Sequence, residues 1–345
     1  MYTKVHIIKN RTKGFFGILM LVLLAGCSKP DVYTMDPRTN FEALWKIMDE
    51  QYCFFEYKQV DWNDIYRKYN TLLTDTMNQY TLFDFLGNML AELKDGHTNL
   101  ISSFNVARYW SWYEDYPSNF NNEVHKLYLG TDYLIAGGMK YLRLSNNQIG
   151  YIYYGSFSSG VGENNLDYIF EYFKNCRGLI IDVRENGGGT LTYSDRIASR
   201  FLEGKIMVGY IKHKTGPGHN DFSDLYPIEL SASKRTRWFR PVVVLTNRHS
   251  FSATNDFVNK MKMLPQVTIM GDRTGGGSGL PFNSELPNGW IVRFSASPML
   301  DANKQDTEHG IDPDIKVSLT TDDLLKGKDT LIEEAIKLIN QQTSQ

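Results

Sequence analysis

The sequence predicts an α/β core on a mainly parallel sheet, with a helical subdomain ahead of it, and three observations support this. Residues 178–183 (Gly-Leu-Ile-Ile-Asp-Val) and 241–246 (Pro-Val-Val-Val-Leu-Thr) are continuous apolar runs of strand length, as expected of strands buried on both faces. Residues 165–173 have helical periodicity and 192–201 suit a helix, so strands and helices alternate from about residue 148. Earlier, Phe41, Leu44, Trp45, Ile47 and Met48, then Leu82, Phe85, Leu86, Met89, Leu90 and Leu93, recur at helical spacing.

Taken in order, residues 1–13 carry Lys4, Lys9, Arg11 and Lys13 and no acid. The apolar run 15–24 and Ala25-Gly26-Cys27 follow. A basic start, a short apolar stretch and small residues at the cut form a secretory signal, too short for a bilayer core that needs about 20 residues. Leu24-Ala25-Gly26-Cys27 is similar to a bacterial lipobox, so residues 1–27 are expected to export the chain and anchor it through acylated Cys27. An ordinary signal peptide with a chance cysteine is the plainer alternative. Residues 38–99 read as the helical subdomain. Residues 100–147, rich in Tyr, Trp, Asn and Ser, read as a small strand and loop insert, and 148–345 as the α/β core.

Removing residues 1–26 leaves 33 basic against 39 acidic residues, a net charge of −6. That balance argues against nucleic acid as the main partner, because phosphate binding needs a basic patch. Cys53 and Cys176 are two cysteines in a large domain, read as buried small residues and not as a disulfide scaffold. Neither His-Glu-x-x-His nor paired Cys-x-x-Cys occurs, so no metal is expected.

Two strand ends carry chemistry. Gly187-Gly188-Gly189 follows the strand 178–183, and glycines there let the backbone approach a ligand with its N–H groups inward. An oxyanion hole, a substrate-strand edge or a plain turn fit this feature; a phosphate loop does not, since no Gly-Lys-Ser/Thr follows. Ser252 follows the strand 241–246 and precedes a helix whose face carries Ala253, Phe257, Met261 and Leu264. By itself such a serine reads as an N-cap. The sharper reading is a nucleophile on a strand–turn–helix elbow, with the Ala253 N–H and the helix dipole facing the oxyanion.

Five segments decide between them. Ser252-Ala253-Thr254-Asn255 resembles the Ser-Ala-Ser-Glu of tail-specific (C-terminal processing) proteases, whose nucleophile is the Ser before Ala. Residues 178–189 resemble that family's Gly-Leu-Ile-Leu-Asp-Leu-Arg-x-Asn-x-Gly-Gly, and 271–276 its Gly-x-x-Thr-x-Gly loop. Residues 93–98 resemble its Asp-x-His-Thr/Ser segment, and 310–315 match its closing Gly-Ile-x-Pro-Asp-Ile. All five run in the family's order. The resemblance implies a ClpP/crotonase-like α/β core and a serine peptidase that needs no cofactor.

The departures are informative. Gly277 stands where many members carry the Lys of a Ser–Lys dyad, which is similar to the tricorn branch. By that resemblance His97 is the base and Glu308 its orienter, while Gly96 replaces tricorn's auxiliary Ser. Residues 100–147 show no PDZ pattern. Judged without the resemblance, His97 is a helix-end histidine and Glu308 a solvated loop acid. His249 is a rival base too close in sequence to Ser252, and Lys260 and Lys262 are surface residues. The expected reaction is hydrolysis of a peptide or unfolded tail through a Ser252 acyl-enzyme, with Gly187, Gly188 and Ala253 around the oxyanion and the substrate laid as an added strand. A non-catalytic binding lipoprotein and an esterase-type acyl hydrolase are the alternatives.

Overall fold

The computed structural model describes residues 33–344; the expected signal segment and Cys27 lie outside the described residues. Three helices come first, α1 (Pro37–Gln51), α2 (Trp62–Leu72) and α3 (Gln79–Ala91). Asp36 starts α1 by accepting the Thr39 N–H at 2.7 Å ahead of Pro37, and Asn78 caps α3 through Tyr80 and Thr81. Next come β1 (Asn99–Ile101), β2 (Val106–Arg108), α4 (Asn122–Leu129), β3 (Leu134–Ala136), β4 (Met139–Leu144) and β5 (Ile149–Tyr154). The alternating region then runs through α5 (Glu163–Tyr172), β6 (Gly178–Asp182), α6 (Leu191–Ala198), β7 (Ile206–Ile211), β8 (Tyr226–Leu230), β9 (Val242–Thr246), α7 (Ala253–Lys262) and β10 (Val267–Gly271). A long hairpin, β11 (Gly279–Glu285) and β12 (Ile291–Leu300), is followed by β13 (Ile315–Lys316), α8 (Thr321–Leu325) and α9 (Thr330–Thr343).

These elements form two sheets. The core sheet has the order β13-β10-β9-β6-β5-β4-β3, parallel from β13 to β5 and antiparallel at β4 and β3. Every residue of β6 and β9 is buried, as their unbroken apolar runs require. One face packs on α5, α6 and α7 through Phe170, Ile197 and Phe257; the other packs on α9 through Leu331, Ala335 and Ile339. The second sheet, β2-β1-β12-β7-β8 with β11 on β12, carries α1 and α3 through Phe41, Leu44, Leu86, Val292 and Phe294. Cys53 and Cys176 are buried and unbridged.

Residues 100–147 are not a separate unit. Most of β1 and all of β2 extend the second sheet, whereas β3 and β4 extend the core sheet and Leu129 of α4 packs on that sheet's outer face. Short strands are placed by their partners' edges, which local sequence does not record.

A buried ion network fixes the end of β6. The Arg184 guanidinium, wholly buried, donates to Asp182 Oδ1 at 2.9 Å and Oδ2 at 2.6 Å, to Asp329 Oδ1 at 3.1 Å and to the Asn119 carbonyl at 3.0 Å. Asp329 also caps α9, so one cation ties strand, helix and connecting loop together. Removing it strands two buried carboxylates. Arg184→Met should lower the unfolding free energy by about 3–5 kcal/mol, against a few tenths at most for Lys126→Met in the exposed Lys126–Glu123 pair; urea midpoints of the two variants check this.

Candidate active site

Three adjacent parallel strands, β6, β9 and β10, each end in a loop on the same side of the core sheet, where such sheets place their sites. The loops are bonded to one another. Ser250 Oγ donates to the Val183 carbonyl at 2.8 Å, the Phe251 N–H to Asn186 O at 3.0 Å, and the Ser252 N–H to Gly276 O at 2.8 Å. This lattice holds Ser252 at φ +60° and ψ −120°, a left-handed conformation that a residue with a side chain adopts only under constraint. Its hydroxyl does not cap α7. It lies 2.9 Å from His97 Nε2 instead.

His97 arrives from the second sheet, two residues before β1. Asp95 Oδ1 accepts the His97 backbone N–H at 2.7 Å, an Asx turn that aims the ring at Ser252. The ring is buried against Phe251, with centroids 4.7 Å apart. Burial pushes the imidazole down to about 4; Asp95 opposes that, and the cations Arg293 and Lys58 add to it. The ring is therefore neutral at pH 7. With Nε2 accepting the Ser252 hydroxyl, Nδ1 carries the ring proton, and Nδ1 is buried without a partner among the described residues.

Glu308 does not fill that role by a direct bond. Its Oε2 accepts the Ser278 N–H at 2.8 Å and its Oε1 pairs with Lys58 Nζ at 3.1 Å. Lys58 also lies 3.8 Å from Asp95 Oδ2, which accepts the Tyr52 hydroxyl at 2.8 Å and Ser295 Oγ at 3.0 Å. Burial pushes Glu308 up to about 7 and Asp306 up to about 6. Burial also works against an ionised Asp95, but Lys58 and the hydrogen bonds from the His97 N–H and the Tyr52 hydroxyl overcome it and hold that carboxyl low. Lys58 is nearer to Glu308, yet Asp95 is the better-stabilised anion because it accepts more hydrogen bonds. Sequence reasoning gave Lys58 and Asp95 no place in this cluster; the signal available for Asp95 was an aspartate two residues before His97.

The glycines set the remaining geometry. Gly188 has φ +96°, and a Cβ there would lie 2.6 Å from Phe251 O and 2.7 Å from Ser252 Cβ. Its N–H donates to Asn186 Oδ1 at 3.0 Å, whereas those of Gly187 and Ala253 have no acceptor among the described residues. Gly277 has φ +79°, and a Cβ would meet the Phe251 ring at 2.5 Å and His97 Cε1 at 3.1 Å, so no lysine fits there. At Gly96 the Trp112 indole and the Phe251 ring fill the space a serine would need, each 3.0 Å from a Cβ. His249 turns away, its ring against Tyr113. Lys260, expected at the surface, is buried and paired with Asp195 and Asp256 across the α6–α7 contact. Among the described residues no cluster of His, Cys, Asp and Glu is placed to hold a metal.

Ser252 stands between two cavities, one of about 290 Å³ toward α7 and β12 and one of about 490 Å³ under Trp110 and Trp112. His97, Gly189, Ser252 and Arg293 line both, so the cleft is continuous past the hydroxyl.

Residues 148–317 match the sequence pattern of peptidase family S41, and residues 33–91 that of the tricorn protease C1 domain. A crystal structure from Parabacteroides merdae, assigned provisionally to the peptidases, is 70% identical and covers 89% of this chain and 97% of its own, with a TM-score of 0.85. The chain belongs to peptidase family S41. Tricorn protease of Thermoplasma acidophilum is 29% identical over 195 residues, 56% of this chain and 17% of that protein. The carboxy-terminal processing protease CtpA of Bacillus subtilis is 24% identical over 181 residues, 52% of this chain and 37% of that protein. The chain thus spans less than two fifths of the length of these two curated relatives. In this S41 chain the α/β core carries Ser252 and the helical N-terminal region carries His97, and the fold brings the two into contact.

The elbow's strain gives a stability test. A glycine relaxes at φ +60° where an alanine does not, so Ser252→Gly should be more stable than Ser252→Ala by about 1–3 kcal/mol, read as a higher calorimetric Tm. Equal melting of the two variants contradicts the strained elbow.

Proposed function

We propose that this chain is a serine endopeptidase that cleaves unfolded or C-terminal peptide segments through an acyl-enzyme on Ser252. One observation carries the reading: a neutral, buried His97 with Nε2 2.9 Å from a hydroxyl on a strained elbow. A serine hydroxyl is a poor nucleophile until a positioned base takes its proton, and a neutral imidazole is that base. As Ser252 Oγ attacks the scissile carbonyl, His97 accepts its proton. The carbonyl oxygen becomes an oxyanion next to the Ala253 N–H at the start of α7 and the Gly187 N–H in the loop after β6, and loss of such a donor typically costs about 10²–10³ in rate. His97 then returns the proton to the leaving amine, and water repeats the sequence on the acyl-enzyme.

Glu308 contributes through charge in this reading. It shares Lys58 with Asp95, which fixes His97. The peptide lies extended in the cleft, added as a strand beside Gly187–Gly189. The expected export and acylation of Cys27 would hold this cleft near a membrane surface, and membrane fractionation lost in Cys27→Ala is the check.

Labelling with a serine-reactive fluorophosphonate tests the chemistry. Wild type should label at Ser252, Ser252→Ala should not, and His97→Ala should label about 10²–10⁴ times more slowly. Well-folded wild type that fails to label would favour a binding role, whereas turnover of esters but not peptides would favour an acyl hydrolase. The pH profile is a second test. A protonated His97 cannot take the Ser252 proton, so labelling is lost as pH falls through the histidine's folded-state value. That value is about 4, so the rate should persist well below pH 6.5.

A further inference from the structure

We propose that Arg293 is a carboxylate receptor that selects peptides with a negative charge beside the scissile bond, either an acidic side chain or a free C-terminal carboxylate. This rests on the peptidase reading above and adds its specificity.

The argument begins with strand alternation. Val292 and Phe294 of β12 are buried in the helical subdomain's core, so Arg293 and Ser295, before the bulge at Ala296, face the other way. Ser295 bonds Asp95 and Ser297 bonds His213, whereas Arg293 reaches the cleft, where it lines both cavities together with Ser252 and His97. Among the described residues Arg293 has no ion pair and its side chain donates no hydrogen bond.

Other arginines around the core sheet are engaged. Arg184 holds Asp182 and Asp329, Arg200 holds Glu163 and Asp167, Arg273 holds Asp312, and Arg248 donates to three carbonyls. The acids in the cleft are engaged as well: Asp256 pairs with Lys260, and Glu185 accepts from Asn247. Arg293 is thus a half-buried cation held open where substrate must pass. A guanidinium fork matches a carboxylate bidentately, and such charge-assisted bonds are the strong ones. The α7-side cavity is mixed, with Leu191, Val208, Ile228 and Met299 on part of its wall and Thr192, Asn255 and Asn259 on the rest.

Occupancy of Arg293 also bears on the chemistry. Its positive charge disfavours the imidazolium that His97 becomes during acylation. A bound carboxylate cancels that charge, so the right substrate gains in kcat as well as in binding.

The test uses the Ser252→Ala protein, which binds without turnover, and two matched probe pairs. One is N-acetyl-Ala-Ala-Leu-Ala as free acid and as amide; the other is N-acetyl-Ala-Leu-Glu-Ala amide and its Gln analogue. At least one carboxylate form should bind about 10-fold tighter than its neutral partner by calorimetry. That preference should vanish with Arg293→Met or Arg293→Gln and survive in part with Arg293→Lys. The pair that responds identifies the source of the carboxylate. Indistinguishable binding within both pairs, including no detectable binding of any probe, or a preference that survives Arg293→Met and Arg293→Gln, overturns the proposal. Because these assays need no nucleophile, failure of the peptidase reading shows separately, as wild-type Ser252 that does not label.

Discussion

Lys58 Nζ, buried between Glu308 at 3.1 Å and Asp95 at 3.8 Å, is the contact on which the site depends. It sits in the turn after α1, Asp95 lies just before β1, and Glu308 comes from the loop after β12. One ammonium therefore joins three parts of the chain distant in sequence. Two carboxylates at that depth without a cation would incur several kcal/mol of desolvation each. With the cation present, Asp95 remains an anion able to hold the His97 backbone, and Glu308 holds the Ser278 N–H next to Gly277. His97 and the loop that shapes its pocket thus share one electrostatic anchor. His97 belongs with the second sheet, whereas Ser252 belongs to the core sheet.

The Ser252 side is built on different physics. Backbone hydrogen bonds among the β6, β9 and β10 loops fix Ser252 in a conformation a free chain would avoid, and the Arg184 network anchors the first of those loops. Strain on one side and buried charge on the other meet across a single 2.9 Å contact. Small residues at Gly96, Gly188 and Gly277 are what let the two sides approach, since a Cβ at any of them would collide with Phe251, Ser252 or Trp112.

Much of this was legible in the sequence, for identifiable reasons. The strands 178–183 and 241–246 announced themselves because strands buried on both faces must be apolar throughout, and the structure places β6 and β9 there. Ser252 and His97 were singled out through motifs that record local turns, an elbow and an Asx turn, and the fold brings them 2.9 Å apart. The antiparallel second sheet was missed because β7, β8 and β11 are partly exposed and the pairings of β12 with β1 and β7 lie far apart along the chain. Lys58 and Arg293 were missed for a related reason: a lysine after a helix and an arginine in a strand look like surface charge until the fold buries one and opens the other onto a cleft. Glu308 shows the limit of transfer by resemblance. It lies in the same buried cluster as His97, but its carboxylate engages Lys58 and Ser278 in place of the ring.

The central claim is that Ser252 becomes covalently acylated by substrate with His97 as its base. The most direct measurement is mass spectrometry of the protein quenched in acid during turnover of an activated peptide ester, followed by digestion to locate the adduct. The account predicts the acyl mass on the peptide containing Ser252 and none in His97→Ala quenched at the same time. Turnover with no adduct on Ser252, or an adduct formed equally well without His97, would contradict it.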